Sequence, residues 1–338
     1  MITYRLSPDE IRGIDEVIEG VVEHAAPAHH PAVLRAAALG VADLPRSLRA
    51  ALLQFRWEEP AGALLVSGFP IDDDRIGPTP GHWRQPPADC PLTREEAYLL
   101  LLSTLLGEPF GWSTQQDGRL VHNVLPIRGH ETEQLGSSSA EPLWWHTEDA
   151  FHRFRPDYVD LLCLRNPYAA VTRYADVSRL PIAGPDRRLL SEPGYTIRPD
   201  NSHRAQHNSR SGDDPRRTAA LAAVEQAYAE PEPIAVLSGD LADPYVRLDP
   251  YFMDPPPDPR HAAALDRLRA LVHAALVDVV LAPGDCLILD NYRAVHGRAP
   301  FRAKFDGRDR WLKRLCVTRD LRRSRAARPS LTGRLIDG

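Results

Sequence analysis

The spacing of apolar residues changes near residue 110. Before this point, apolar positions recur at helical spacing or form continuous runs, which predicts helices at residues 7–21, 44–55 and 93–106. Between them, Ala63–Ser67 is a short apolar run that predicts one buried strand. A connection rich in Pro and Gly follows at residues 76–91. The first third of the chain is therefore predicted to be mainly helical.

After residue 110, short apolar segments alternate with Gly, Pro, Asn and Asp. Strand character is found at residues 120–125, 158–164, 170–177, 234–238, 246–248, 285–289 and 311–318. This frequency predicts an α+β fold, mainly β, with a sandwich or a double-stranded β-helix (jelly-roll) core. We expect one domain, residues 1–338, with a helical flank at 1–109, the core at 110–320 and a tail at 321–338.

A polar stretch at residues 185–217 interrupts the predicted strands. It is rich in Pro, Gly, Ser, Asn and Arg and is too long for a turn. One interpretation is a disordered insertion. The interpretation we favour is a lid over an active site.

Composition excludes several classes of function. A net charge of −5 in 338 residues gives no basic field for nucleic acid, and the arginine-rich residues 319–328 are expected to be a solvated terminus. No apolar run is long enough for a membrane span, and the first residues lack the apolar core of a signal peptide, so a cytoplasmic protein is expected. The four cysteines are far apart and are expected to be reduced packing residues.

The segment at residues 143–154 contains a candidate metal-binding pair, His146 and Glu148. On a β-strand this spacing would place both side chains on one face, where a nitrogen and a carboxylate oxygen can bind one metal ion. Two histidines and one carboxylate form the metal site of non-haem Fe(II) oxygenases. The pair alone is weak evidence, because a chain with 13 histidines and 46 acidic residues produces such pairs by chance. The alternative is a strand-end histidine beside a solvated carboxylate.

A second group of candidate residues lies in the segment at residues 281–317. His296 follows a predicted strand and a break at Asp290-Asn291, and it would be the third metal ligand. Arg310 and Arg314 are four residues apart on a predicted strand, so both guanidinium groups can face one pocket and bind carboxylates. The abundance of arginine in this region weakens the argument from spacing alone.

The order of these motifs resembles the clavaminate synthase-like Fe(II)/2-oxoglutarate dioxygenases of the taurine dioxygenase superfamily. The likeness is carried by HTEDAFH, PGDCLILDNYRAVHGR and DRWLKR and covers roughly residues 105–320. It implies that His146, Glu148 and His296 bind iron(II), with 2-oxoglutarate and O2 as cosubstrates. It also implies that Arg310, supported by Thr172, holds the far carboxylate of 2-oxoglutarate.

The same resemblance implies a free L-amino acid as substrate, in a specialised-metabolite pathway such as antibiotic biosynthesis. Arg314 would pair with the substrate carboxylate, and Gln115, with Glu148, would contact the α-amino group. Relatives that use arginine or lysine carry an Asp-x-Asp pair, of which this chain keeps Asp249 and has Tyr251 at the second position. A turn role for Asp249, a core role for Tyr251 and a loop role for Gln115 stay open.

The expected reaction is hydroxylation at C-β or C-γ of an arginine-shaped amino acid. Because a phenol can donate to a ureido carbonyl, citrulline is expected to be at least as good a substrate as arginine, with lysine and enduracididine behind. Three alternatives remain at this point. They are an asparagine or other neutral amino-acid oxygenase, a non-catalytic jelly-roll amino-acid-binding protein, and a cupin-like metal hydrolase or isomerase without 2-oxoglutarate.

Overall fold

The computed structural model describes residues 1–87, 89–208 and 214–337. The α-helices among these residues are α1 (Pro8–Val22), α2 (Pro31–Gly40), α3 (Arg46–Glu58), α4 (Asp73–Ile76), α5 (Arg94–Leu106), α6 (Gly184–Leu190), α7 (Pro215–Ala229) and α8 (Pro259–Ala274). The first eight strands are β1 (Ile2–Arg5), β2 (Ala63–Ser67), β3 (Glu108–Trp112), β4 (Val121–Val124), β5 (Leu143–His146), β6 (Tyr158–Arg165), β7 (Val171–Asp176) and β8 (Tyr195–Thr196). The next eight are β9 (Pro233–Ile234), β10 (Leu237–Gly239), β11 (Pro244–Val246), β12 (Val277–Val280), β13 (Cys286–Asp290), β14 (Ala294–Arg298), β15 (Trp311–Thr318) and β16 (Leu335–Ile336).

The N-terminal helices form as their sequence signals predict. Thr93 caps α5 in a capping box with Glu96, and Ser7 and Glu10 do the same for α1. Nearly every side chain of α5 is buried, because this helix packs against α1, α2 and α3 and against β15. The predicted helices at residues 7–21, 44–55 and 93–106 are confirmed as α1, α3 and α5.

Two β-sheets form the centre of the molecule. The larger has the strand order β1-β2-β13-β6-β15-β3-β16, with β4 also paired to β15, and the smaller has the order β12-β7-β14-β5. Apolar side chains of both sheets share one core cluster, in which Leu161 and Leu312 of the larger sheet join Tyr174 and Val279 of the smaller. This mixed, sheet-rich α+β arrangement brings β14 of one sheet and β15 of the other to the same interior space.

Two strands were predicted with wrong boundaries, and one helix was not predicted. The strand predicted at 234–238 is split into β9 and β10, because the amide of Val236 donates to Leu190 instead of to a neighbouring strand. The strand predicted at 246–248 ends at Val246, and the carbonyl of Leu248 accepts the amide of Thr147. Helix α8 was missed, although Leu265, Leu268 and Val272 have helical spacing and are buried.

The arginine-rich residues 319–328 are anchored to the core, although Arg319, Arg322, Arg323 and Arg325 are exposed as expected. Leu321 and Ile336 are buried in a cluster with Phe110 and Trp112, and β16 pairs with β3. Arg328 is also buried, and it donates to the carbonyls of three residues, Ser330, Leu331 and Gly333. Apolar anchors on either side of the arginines therefore hold this segment against the core.

The segment at residues 185–217 is described except for residues 209–213, and that part of the lid prediction lies outside the described residues. Helix α6 covers residues 185–190, β8 follows, and two 3-10 turns lie within residues 201–207. Among the helices that the structure describes, none is long and apolar enough to cross a membrane.

Candidate active site

The three predicted metal ligands converge between the sheets. His146 is the last residue of β5, and His296 lies opposite it in the middle of β14. Their ring centroids are 4.8 Å apart, and the ligand atoms of His146, Glu148 and His296 all lie within 4.8 Å of one another. The prediction that His146 and Glu148 share a strand face was wrong, because β5 ends at His146. The turn after the strand brings the carboxylate into place.

Hydrogen bonds orient two of these predicted ligands. The Nδ1–H of His146 donates to the carbonyl of Trp144 at 2.7 Å, which leaves Nε2 available as a ligand. The amide side chain of Asn291 accepts from the backbone N–H of Glu148 at 2.7 Å and donates to its carbonyl at 3.0 Å. Asn291 was seen in the sequence only as part of a break between strands. Its role as the residue that positions Glu148 was missed.

The charges around Glu148 favour its ionised form. Although burial opposes ionisation, the guanidinium of Arg314 and the ring of His296 hold the pKa of Glu148 well below its usual range. Burial lowers the pKa of His296, so its ring is neutral near pH 7. A carboxylate and imidazole nitrogens are the donor set that suits Fe(II) in a facial triad. The residues present therefore fit this metal.

Arg310 is a buried cation without an anionic partner among the described residues. Its Nη2 donates to Thr172 Oγ1 at 3.0 Å, and its Nε has no acceptor. Burial lowers the pKa of Arg310 to about 10. By contrast, the neighbouring guanidinium of Arg298 donates to the carbonyls of Ser139, Glu141 and Ala299 and to the hydroxyl of Ser138. Arg310 and Thr172 are thus brought together as predicted, and Arg310 fits an incoming carboxylate.

Arg314 lies on β15 at the centre of a hydrogen-bond network. Its Nη1 bonds to Glu148 Oε1, and its Nη2 is 2.6 Å from both Gln115 Oε1 and His122 Nδ1. His122 is the cross-strand neighbour of Arg314 on β4, and its Nε2 donates to the carbonyl of Arg119. Burial and the nearby guanidinium hold the pKa of His122 well below its usual range, so its Nδ1 accepts from Arg314. His122 was missed, although it lies on a strand that was predicted.

Two carboxylates, Asp249 and Asp200, also line the cleft. Asp249 Oδ1 accepts the amides of Tyr251 at 3.2 Å and Phe252 at 3.3 Å. Burial, reinforced by the negative charge of Asp200, raises the pKa of Asp249 to about 6. Tyr251 also lines the cleft, but its side chain is 53% exposed. Asp200 was missed, because it lies in the polar segment 185–217, far along the chain from the other candidates.

Residues 200–203 are joined to the segments that carry Gln115 and Glu148. The hydroxyl of Ser202 accepts from Gln115 Nε2 at 2.6 Å. His203 is fully buried, and its ring nitrogens lie 2.8 Å from Asp149 Oδ1 and 2.9 Å from Thr114 Oγ1. Since Asp149 follows Glu148 directly, this contact connects the segment 185–217 to the predicted metal ligands.

One cleft contains all nine predicted site residues. Its lining includes His146, Glu148, His296, Arg310, Thr172, Arg314, Gln115, Asp249 and Tyr251. Asp200 and Ser202 line the same cleft. The triad, both arginines and the two carboxylates therefore face one shared space.

The taurine catabolism dioxygenase TauD, TfdA family model matches residues 89–316. The chain is 42% identical over 341 residues to the enduracididine beta-hydroxylase of Streptomyces hygroscopicus, covering 99% of this chain and 100% of that protein. It is 46% identical over 314 residues to the L-ornithine/L-arginine 3-hydroxylase of Catenulispora acidiphila, covering 90% of this chain and 91% of that protein.

A solved structure agrees with these relatives. The crystal structure of the non-heme iron oxygenase OrfP in complex with Fe, succinate and (3S)-hydroxy-L-Arg matches with a TM-score of 0.93 and 42% identity, over 99% of this chain and 100% of that chain. The resemblance drawn from the sequence motifs is confirmed, and the chain belongs to the taurine catabolism dioxygenase TauD, TfdA family.

Proposed function

We propose that this protein is an Fe(II)- and 2-oxoglutarate-dependent hydroxylase of a free L-amino acid with a guanidinium side chain, most simply arginine. The observation that carries the proposal is a cleft with a cation beside the metal triad, Arg314, and two carboxylates, Asp200 and Asp249. A free arginine has the complementary charges at its two ends. The relatives named for enduracididine and for ornithine and arginine, and the OrfP complex with hydroxy-Arg, support the same substrate class.

His146, Glu148 and His296 would hold the iron. When bound, the metal couples oxidation of 2-oxoglutarate by O2 to insertion of one oxygen atom into a substrate C–H bond, with succinate and CO2 as the other products. Arg310 would pair with the distal carboxylate of 2-oxoglutarate, and Thr172 would add a hydroxyl donor. This pairing gives the buried guanidinium the anion it otherwise lacks.

Arg314 would pair with the α-carboxylate of the substrate. Its guanidinium is already oriented by Glu148, Gln115 and His122, so little conformational entropy is lost on binding. The amide of Gln115 and the carboxylate of Glu148 lie beside it and would accept the α-amino group. Anchoring these groups near the triad leaves C-β and C-γ closest to the metal, and hydroxylation is proposed at one of these carbons.

Asp200 alters the expected order of substrates. The sequence suggested one carboxylate and one phenol, an arrangement that favours the neutral ureido group of citrulline. With Asp200 and Asp249 both in the cleft lining, a guanidinium finds two carboxylate acceptors. A cation would also relieve the repulsion that helps to raise the pKa of Asp249. We therefore propose arginine ahead of citrulline, and donation by the Tyr251 phenol stays a prediction.

We also propose that the two sheets form a jelly-roll core within a single domain, residues 1–338. The shared core cluster between the sheets supports this. Residues 185–217 would act as the lid, since Asp200 and Ser202 line the cleft and His203 is bonded to Asp149. Closure would exclude water from the reacting groups.

Asp249→Asn tests the substrate assignment. Loss of a charge-assisted partner in a buried site costs on the order of 2 to 4 kcal/mol, so kcat/KM for arginine should fall roughly 30- to 1,000-fold. The 2-oxoglutarate requirement should stay within a factor of about three, because Asp249 would not touch the cosubstrate. Asp258→Asn, at the start of α8 and outside the cleft, is a matched control that should change neither value. If Asp249→Asn lowered kcat/KM equally for arginine and for asparagine, the proposal would be contradicted.

A further inference from the structure

A second group of possible metal ligands lies beside the cleft and has no part in the proposed reaction. One ligand atom from each of His130, Glu133 and His207 lies within 4.8 Å of the other two. His207 Nε2 is 3.2 Å from Glu133 Oε2, and the rings of His130 and His207 are 5.6 Å apart in an edge-to-face arrangement. None of the three residues belongs to the iron triad.

The loop that carries two of these residues is held by its own hydrogen bonds. The amide of Glu133 donates to the carbonyl of His130 at 3.0 Å, so a single turn places both side chains near each other. The carbonyl of Glu131 accepts the amides of Ser139 and Ala140, which closes the loop. Ser137 Oγ lies 2.9 Å from His130 Nδ1 and can orient the ring. The site is therefore partly formed before any ion binds.

Two imidazoles and a carboxylate, with a fourth position left for water, are a donor set that zinc uses in proteins. In a tetrahedral zinc site with bonds of about 2.0 to 2.1 Å, neighbouring donor atoms are roughly 3.3 Å apart. The Glu133–His207 separation of 3.2 Å already meets this distance. Imidazole-rich sites favour Zn²⁺ over Mg²⁺ or Ca²⁺.

We propose that His130, Glu133 and His207 form a second metal site, specific for zinc-type divalent cations, at the edge of the substrate cleft. His130 and His207 line that cleft. His207 ends the turn at residues 205–207, whereas His130 and Glu133 come from the loop after β4. An ion at this site links the described residues 201–208 of the lid segment to the opposite loop. Zinc occupancy therefore opposes opening of the cleft, and this inference does not depend on the identity of the substrate.

Metal counting with the full-length chain tests the proposal. After chelation, the wild-type protein should bind two Zn²⁺ ions per chain, one at the triad and one at this site. His207→Ala and Glu133→Gln should each lose at least about 100-fold in affinity for one of the two ions, because removal of a direct ligand costs more than the 10- to 100-fold typical of a neighbouring hydrogen-bond partner. His146→Ala should retain the second ion, and the double variant His146→Ala/His207→Ala should retain neither.

His273→Ala is the matched control, since His273 is an exposed histidine on α8 and does not line the cleft. It should bind two ions. Hydrogen exchange supplies a second measurement, in which Zn²⁺ slows exchange of the amides of residues 201–208 in His146→Ala but not in the double variant. The proposal would be overturned if the wild type bound a single zinc ion. It would also be overturned if His207→Ala and Glu133→Gln both retained two ions.

Discussion

Replacing Arg310 with Met should raise the stability of the protein in the absence of 2-oxoglutarate and abolish stabilisation by the cosubstrate. Methionine has a similar length, is apolar and adapts to irregular spaces, so it can fill the volume of the guanidinium side chain. The substitution removes a buried charge that, among the described residues, has no acceptor for its Nε and makes one hydrogen bond, to Thr172. The variant thus separates the cost of the buried charge from its use in binding.

The expected magnitude follows from the pKa. Burial lowers the pKa of Arg310 from 12.5 to about 10, which corresponds to about 3 kcal/mol of unfavourable charge burial. Loss of the hydrogen bond to Thr172 offsets about 1 kcal/mol. The free energy of unfolding should therefore rise by about 1 to 2 kcal/mol. Loss of the bidentate pair should raise the Kd for 2-oxoglutarate by roughly 30- to 5,000-fold, equivalent to about 2 to 5 kcal/mol.

The assay is urea unfolding of the wild type and Arg310→Met, each with Fe(II) under anaerobic conditions, with and without 2-oxoglutarate. The cosubstrate should stabilise the wild type and leave the variant unchanged. Arg298→Met is the matched control: it removes a buried guanidinium that already donates to Ser138, Ser139 and Glu141, so 2-oxoglutarate should still stabilise this variant. Equal stabilisation of the wild type and Arg310→Met by 2-oxoglutarate would refute the assignment of Arg310.

Two further predictions concern a positioning residue and a buried acid. Asn291→Ala should lower Fe(II) affinity about 10- to 100-fold, measured by anaerobic titration, because Asn291 fixes the backbone of Glu148; unchanged affinity would contradict this role. Burial raises the pKa of Asp160 from 3.8 to about 7, and Ser103 is its one hydrogen-bond partner among the described residues. Its contribution to stability is therefore complete below pH 4 and is lost as the pH rises through 7. The free energy of unfolding of Asp160→Asn in urea, compared with that of the wild type, should therefore rise by about 2 kcal/mol as the pH goes from 5 to 7.5. A difference between the two proteins that does not change with pH would contradict this direction.

The candidate metal and cosubstrate residues could be selected from the sequence because their signals are local or fixed by motif spacing. His146 and Glu148 are two residues apart, and Arg310 and Arg314 lie on or beside one strand, β15. Their convergence with His296 depends on the pairing of β14 with β5, which periodicity alone does not specify. The resemblance to a known family supplied that long-range information.

Residues that act through tertiary contacts could not be predicted in the same way. Asn291 looked like a turn residue because its partner, Glu148, is 143 positions away. Asp200 lies in a polar segment without periodicity, so nothing local indicated that it lines the cleft. Helix α7 was also missed, because its apolar residues do not form a clear stripe and few are buried.

The most direct test of the account is the mass of the product formed from arginine with Fe(II), 2-oxoglutarate and O2. Arginine should gain one oxygen atom and yield one succinate per product, and citrulline should react less efficiently. Omission of 2-oxoglutarate should stop the reaction. If asparagine and other short neutral amino acids gained oxygen while arginine did not, the proposed match between the guanidinium and the carboxylates of Asp200 and Asp249 would be contradicted.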